Sequence, residues 1–213
     1  MGVFLKTFPS RFLAIGFLLL LAGCTTPVSI RDTTRTFHTV VIDAGHGGKD
    51  SGAAKRGVLE KNAALDVALR LDAKLRDAGF NTVLTRKGDY FVELNDRAAI
   101  SNRQTNAIFI SIHFNDSPRR KINGVETYYH SEISASLASK ICTSLALLTP
   151  NRGVHYANFR VLRLNTFPAV LVECGFLSNG HEANHAKSAA YRQQLADQIG
   201  KAIIESRRGG AAL

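Results

Sequence analysis

Two groups of residues in this chain could do metal chemistry. One is contiguous: Asn179-Gly180-His181-Glu182-Ala183-Asn184-His185 fits the pattern H-E-x-x-H, which sets two imidazoles one helical turn apart with a carboxylate between them. The other is dispersed. His46 stands in Asp43-Ala44-Gly45-His46-Gly47-Gly48, His113 in Ser111-Ile112-His113-Phe114-Asn115, and Glu173 before Cys174-Gly175, while Glu60 opens a long helical pattern. Two neutral imidazoles and one carboxylate are a common donor set for a catalytic zinc ion. A second carboxylate nearby can take a proton from an attacking water.

The contiguous motif is the weaker of the two. A zinc helix needs both His inside a helix and facing a cleft, but Asn179-Gly180 places His181 at a helix start. Ala183 is the motif's sole apolar residue, and downstream only Glu205, far along, could supply a third donor. The stretch is expected to be a solvated helix start. A Gly-x-Ser-x-Gly elbow, the mark of one class of serine hydrolase, does not occur.

The dispersed set needs a fold to gather it. Residues 38–43, 80–85, 107–112 and 169–173 are β-branched or apolar runs and read as buried strands; 159–162 reads as a short strand and 125–129 as an edge strand. Residues 60–78, 93–104, 132–148 and 181–206 read as helices, the first with Leu65, Ala68, Leu69, Leu71 and Leu75 near helical spacing and Gly79 as its stop. The alternation predicts an α/β fold: a single twisted, mainly parallel sheet of about six strands with helices on both faces. In such sheets ligands bind beyond the C-terminal ends of the strands, where His46, His113 and Glu173 fall.

Composition bounds the setting. The chain has 213 residues and a formal net charge of +10, with basic residues scattered rather than clustered in one run. Lys6 and Arg11 precede the apolar run 12–21, too short for a comfortable membrane span, and Leu21-Ala22-Gly23-Cys24 resembles the bacterial lipobox. Residues 1–23 are therefore expected to be a lipoprotein signal peptide and Cys24 the lipidated residue. Residues 24–36 would form a tether, 37–206 one catalytic domain and 207–213 a tail. Loss of residues 1–23 leaves +8, which suits an acidic substrate or surface; an exported, lipid-anchored protein has no nucleic-acid partner. Thr25 rather than Asp after Cys24 resembles the signal for the periplasmic face of the outer membrane, in an organism that has one. Cys142 and Cys174 are expected as buried thiols, although the compartment would permit a disulfide.

The dispersed residues resemble the zinc-dependent N-acetylmuramoyl-L-alanine amidases, the family that includes bacterial cell-division amidases. The resemblance rests on residues 41–53, Glu60, Thr85-Arg86, the helix carrying Leu94, Arg97 and Asn102, residues 111–115, Gly124-Val125-Glu126-Thr127, and 168–179, in that order. It implies one zinc ion on His46, Glu60 and His113, with Glu173 as acid/base and substrate contacts from Arg86 and Asn115. The implied substrate is the amide between the muramic acid lactyl group and L-alanine in peptidoglycan, cleaved in wall remodelling, daughter-cell separation or recycling. Phe114 departs from the family's usual small residue. Residues 131–168 leave room for one ordinary helix, a loop and a strand, and not for the plug helix of some cell-division members. An open site, no activator protein and a monomer are expected. The alternatives are a zinc peptidase acting on stem peptides and a non-catalytic wall-binding lipoprotein.

Overall fold

The computed structural model describes Gly2 and residues 29–208. The expected signal peptide, Cys24 and the last residues of the tail lie outside the described residues. Among the described residues no helix is long and apolar enough to cross a membrane.

Strand β1 (Thr39–Ala44) is buried along its whole length. Val40, Val41 and Ile42 are each fully enclosed, which stabilises the fold by about 1.5–3 kcal/mol per side chain. After a short hairpin, β2 (Ala54–Lys55) with β3 (Val58–Leu59), the chain enters α1 (Glu60–Asp77). Its buried stripe is Ala63, Ala64, Val67, Ala68, Leu71 and Leu75, shifted from the expected one because Leu69 is exposed. The helix ends in a Schellman turn: Gly79, at φ 86°, donates to the Arg76 carbonyl and Phe80 to that of Leu75.

Strand β4 (Asn81–Leu84), α2 (Leu94–Asn102) and β5 (Ala107–Asn115) follow. Then come β6 (Val125–Tyr129), a 3-10 turn at Glu132–Ser134, α3 (Ala135–Leu145), β7 (Asn151–Tyr156), α4 (Arg160–Arg163) and β8 (Ala169–Phe176). Helices α5 (Gly180–Lys187) and α6 (Ala189–Arg208) close the fold. The six-stranded sheet has the order β4-β1-β5-β8-β6-β7. All neighbours are parallel except β8 and β6. One core packs α1, α3 and α6 on one face; a smaller one packs Val161, Leu162 and Ile100 on the other.

The expected architecture is present, with four local differences. Residues 159–162 are not a strand: Val161 and Leu162 are both buried, which a helical turn against the smaller core permits and an edge strand does not. The edge strand is β7 instead, a polar and largely exposed segment without apolar alternation, so β6 is internal. The last helix is broken at Ser188, whose backbone is extended and whose hydroxyl accepts from the Tyr191 N–H at 3.4 Å, capping α6. The expected tether is docked from Arg31 onward: the Thr33 hydroxyl donates to the Ala107 carbonyl, and the Arg31 guanidinium lies 4.0 Å from the Phe167 ring centre.

Parity decides what reaches the site. Asp43, Ser111, His113, Leu171 and Glu173 alternate with the core residues Ile42, Ile112 and Val172, so they share the α2/α4 face of the sheet. Chain order β1, β4, β5 against spatial order β4, β1, β5 makes the ends of β1 and β5 a topological switch point, and His46 and His113 stand there.

Candidate active site

His46, Glu60 and His113 converge, each offering one donor atom, and the donor atoms all lie within 4.8 Å of one another. Glu60 Oε1 is 3.0 Å from His46 Nε2 and 2.9 Å from His113 Nδ1. The two rings meet edge to face at 4.8 Å. The outer nitrogen of His46, Nδ1, is 2.8 Å from Asp50 Oδ2, the carboxylate–imidazole arrangement that fixes a ligand ring. Glu60 Oε2 accepts from the Ala53 N–H at 2.8 Å, so only its other oxygen faces the imidazoles. The dispersed set is thus the one that the fold gathers.

Backbone geometry permits this closeness. Gly45 lies so near the His113 ring that a Cβ there would overlap it. Gly52, at φ 61°, would place a Cβ 2.5 Å from Glu60 Oε2. His46 itself holds φ 60°, uncommon for a residue with a Cβ. Two buried guanidiniums hold the turn. Arg86 donates to the carbonyls of Ala44, Gly45, Lys61 and Gly88. Arg97 donates to those of Ala44, His46 and Val92 and pairs with Asp43 at 2.9 Å. Asp43 also accepts from the Thr85 and Ser111 hydroxyls.

The expectation that Arg86 touches substrate is corrected by its burial. It is fully enclosed, and its donors are directed at backbone carbonyls. Asn115 donates to Glu126 Oε2 at 3.0 Å and is not among the residues that line the cavity. Asp43, a lone charge on the apolar strand β1, was the legible half of the pair that shapes the His46 turn; Arg97, on the polar helix α2, carried no such signal.

Glu173 lies opposite His113 across β5 and β8, and opposite Glu126 across β8 and β6. A register shift follows at once between His113 and Asn115, a bulge of the kind common beside active sites. Part of the Glu173 side chain reaches the cavity, but its Oε2 is shut from solvent and has no hydrogen-bond partner among the described residues. Burial first, then the Glu60 and Glu126 charges, push its carboxyl well above the usual range. Burial works against a charged Glu60 too, but His113 and His46 outweigh it and draw its pKa well down. At His46, burial is outweighed by Glu60 and Asp50, and the net shift is upward. The cavity above these groups, about 330 Å³, carries Phe91, Leu94, Phe159 and Leu171 on its apolar side.

The contiguous motif does other work. Asn179 caps α5, accepting from the His181 and Glu182 N–H groups at 3.0 and 3.3 Å. Glu182 is not solvated as expected but buried, accepting from the Gly124 N–H, the Phe176 N–H and the Thr149 hydroxyl. It ties α5 to β6 and β8, and its carboxylate is fully occupied. Cys142 and Cys174 are buried free thiols.

Fold and site define a protein with a mostly parallel six-stranded α/β sheet, a His–Glu–His donor set at its switch point and a separate buried carboxylate. A family model described as N-acetylmuramoyl-L-alanine amidase matches residues 40–205, and the chain belongs to that family. It is 41% identical over 167 residues to the uncharacterized protein YqiI of Bacillus subtilis, covering 76% of this chain and 81% of that one. N-acetylmuramoyl-L-alanine amidase LytC of the same organism is 40% identical over 167 residues, 76% of this chain but 34% of LytC. Among solved structures, amidase AmiC2 of Nostoc punctiforme is similar at 39% identity and TM-score 0.75, over 78% of this chain and 95% of that one. The catalytic domain of CwlV from Bacillus (Paenibacillus) polymyxa var. colistinus is similar at 38% identity and TM-score 0.76, over 79% and 97%.

Proposed function

We propose that this protein hydrolyses the amide between the lactyl group of N-acetylmuramic acid and L-alanine in peptidoglycan, with one zinc ion held by His46, Glu60 and His113. The observation that carries the reading is the convergence of those three donors beside Glu173. The donor set fits zinc: two imidazole nitrogens and one carboxylate oxygen, with Asp50 orienting one ring. When bound, zinc supplies Lewis acidity, polarising the amide carbonyl and making nearby water more acidic. The chain's residues supply the rest. Glu173, paired across the sheet with His113 and with a free carboxylate oxygen, takes a proton from the water as the water's oxygen bonds to the carbonyl carbon. It then gives that proton to the nitrogen as the C–N bond breaks, leaving a lactyl carboxylic acid and the free amine of L-alanine. Asp50 keeps His46 in register, and Phe91, Leu94 and Phe159 limit water.

The segment between β6 and β8 holds a 3-10 turn, α3, β7 and the four-residue α4. That supports an open site that acts without an activator. Export and a lipid on Cys24 would bring the enzyme to the wall, from the outer membrane's periplasmic face if the cell is Gram-negative, for remodelling, separation or recycling. The test is mass spectrometry of digested peptidoglycan with and without chelator. Intact glycan strands and new L-alanine amines, lost on chelation, are expected; cuts within the stem peptide would instead mark a peptidase. Labelled palmitate entering the wild type but not a Cys24→Ser variant would report the anchor.

A further inference from the structure

A second cavity, about 420 Å³, opens beside the first; its charged lining is mainly basic, whereas the first carries the carboxylates of Asp43, Asp50, Glu60 and Glu173. Lys55, Arg56 and Arg120 line it, with Asp116 and the hydroxyl-bearing Ser117 and Ser178. The elements that carry the donor set also build its wall. Ala54 follows Ala53, whose N–H holds Glu60, and Asp116 lies three residues past His113, about 10 Å along extended chain. Phe114 lines the first cavity and Asp116 the second, so the end of β5 divides them.

Charge in this cavity is unspent. Lys55 is 3.3 Å from Asp116, but among the described residues the other two basic side chains of the lining, Arg56 and Arg120, make no ion pair. Arg56 is held in place from one side, its Nε donating to the Ser178 carbonyl at 3.4 Å, while its terminal nitrogens have no hydrogen bond there. Most arginines elsewhere on the α1 face, such as Arg70, Arg76 and Arg192, are each matched to an aspartate.

We propose that this cavity binds a free carboxylate of the peptide leaving group, through Arg56 and Arg120, and so selects acidic over amidated peptides. The inference rests on the proposed reaction and gives the substrate a direction: sugar toward Phe91, Leu94 and Phe159, peptide toward the arginines. A carboxylate on the second residue beyond the scissile bond lies about 7 Å along an extended peptide, within reach of long side chains across the β5 end. A concave site with paired donors suits one carboxylate better than a flat anionic surface.

The test compares two muramoyl dipeptides, L-alanine followed by γ-linked glutamate with its α-carboxylate free or amidated. Wild type should favour the free acid about tenfold in kcat/KM, the scale of one charge-assisted hydrogen bond, expressed in KM. Arg56→Ala with Arg120→Ala should bring the ratio near one, Arg120→Glu should invert it, and Arg56→Lys should retain part of it. An unchanged ratio in the double variant, or no preference in wild type, overturns the proposal. Calorimetry of both ligands on Glu173→Gln protein separates it from the reaction: selective binding without turnover by wild type keeps the cavity and removes the amidase. Loss of sedimentation with anionic vesicles in the double variant, the muropeptide preference persisting, would assign the cluster to a lipid surface and overturn it.

Discussion

The guanidinium of Arg97 donates to the carbonyl of His46 at 2.7 Å, and His46 stands at φ 60°. A residue on α2 thus fixes the backbone of a donor on the turn after β1. Removing Arg97 strips the buried Asp43 of its counter-charge and frees the turn. Arg97→Ala should cost about 3–5 kcal/mol, the usual penalty for breaking a buried pair. Urea unfolding and zinc content should both fall; normal zinc affinity in a destabilised variant would separate the pair from the site.

Glu173→Gln should abolish nearly all hydrolysis, by about a thousandfold or more, with zinc content unchanged. Any substantial activity in it would remove Glu173 from the reaction.

The same variant should alter stability in a pH-dependent way. An unfolded chain gives up this proton near pH 4.5, whereas burial makes the folded metal-free protein keep it to higher pH. Wild-type stability is therefore fully present below that pH and falls as pH rises through the folded pKa. Glutamine removes the dependence. Metal-free Glu173→Gln protein should melt above wild type at pH 8, with the gap closing toward pH 4; scanning calorimetry reads it.

His46→Ala should lower bound zinc, and His181→Ala with His185→Ala should not. The pair of rings on α5 is 4.1 Å apart, but the glutamate between them faces inward. Zinc analysis of dialysed protein decides, and loss only in the α5 variant would restore the contiguous motif.

Glu182→Ala should destabilise without touching chemistry. It leaves three donors unmet, two of them backbone, at about 1–3 kcal/mol for a buried unsatisfied group. Chemical denaturation should show the loss while kcat stays.

The site residues were legible because a polar or charged side chain interrupts an otherwise apolar run, His113 within β5 and Glu173 within β8, or stands beside one, His46 in the glycine turn after β1 and Glu60 at the start of α1. Strand β7 was not, since its exposed residues carry no alternation and its place comes from pairing with β6. Glu182 misled because a charge reads as surface until its partners, here mostly backbone N–H groups, are known; Arg86 misled because the resemblance made it a substrate contact, whereas its donors are taken by backbone carbonyls. Ser188 shows the limit of periodicity, because one hydroxyl divides a helix that the apolar spacing would run through.

Strand β8 places Glu173 toward the cavity and Val172 and Cys174 into the core by alternation alone. For anyone building variant libraries, this strand should accept changes of identity far better than changes of length. Deleting one codon before Glu173 would turn its carboxylate into the apolar layer and bring a hydrophobic side chain to the cavity. The stretch 116–124, outside any strand, carries no such ruler; its places are set instead by single contacts, such as the Gly124 N–H on Glu182 and the Ser117 N–H on the Ser178 hydroxyl.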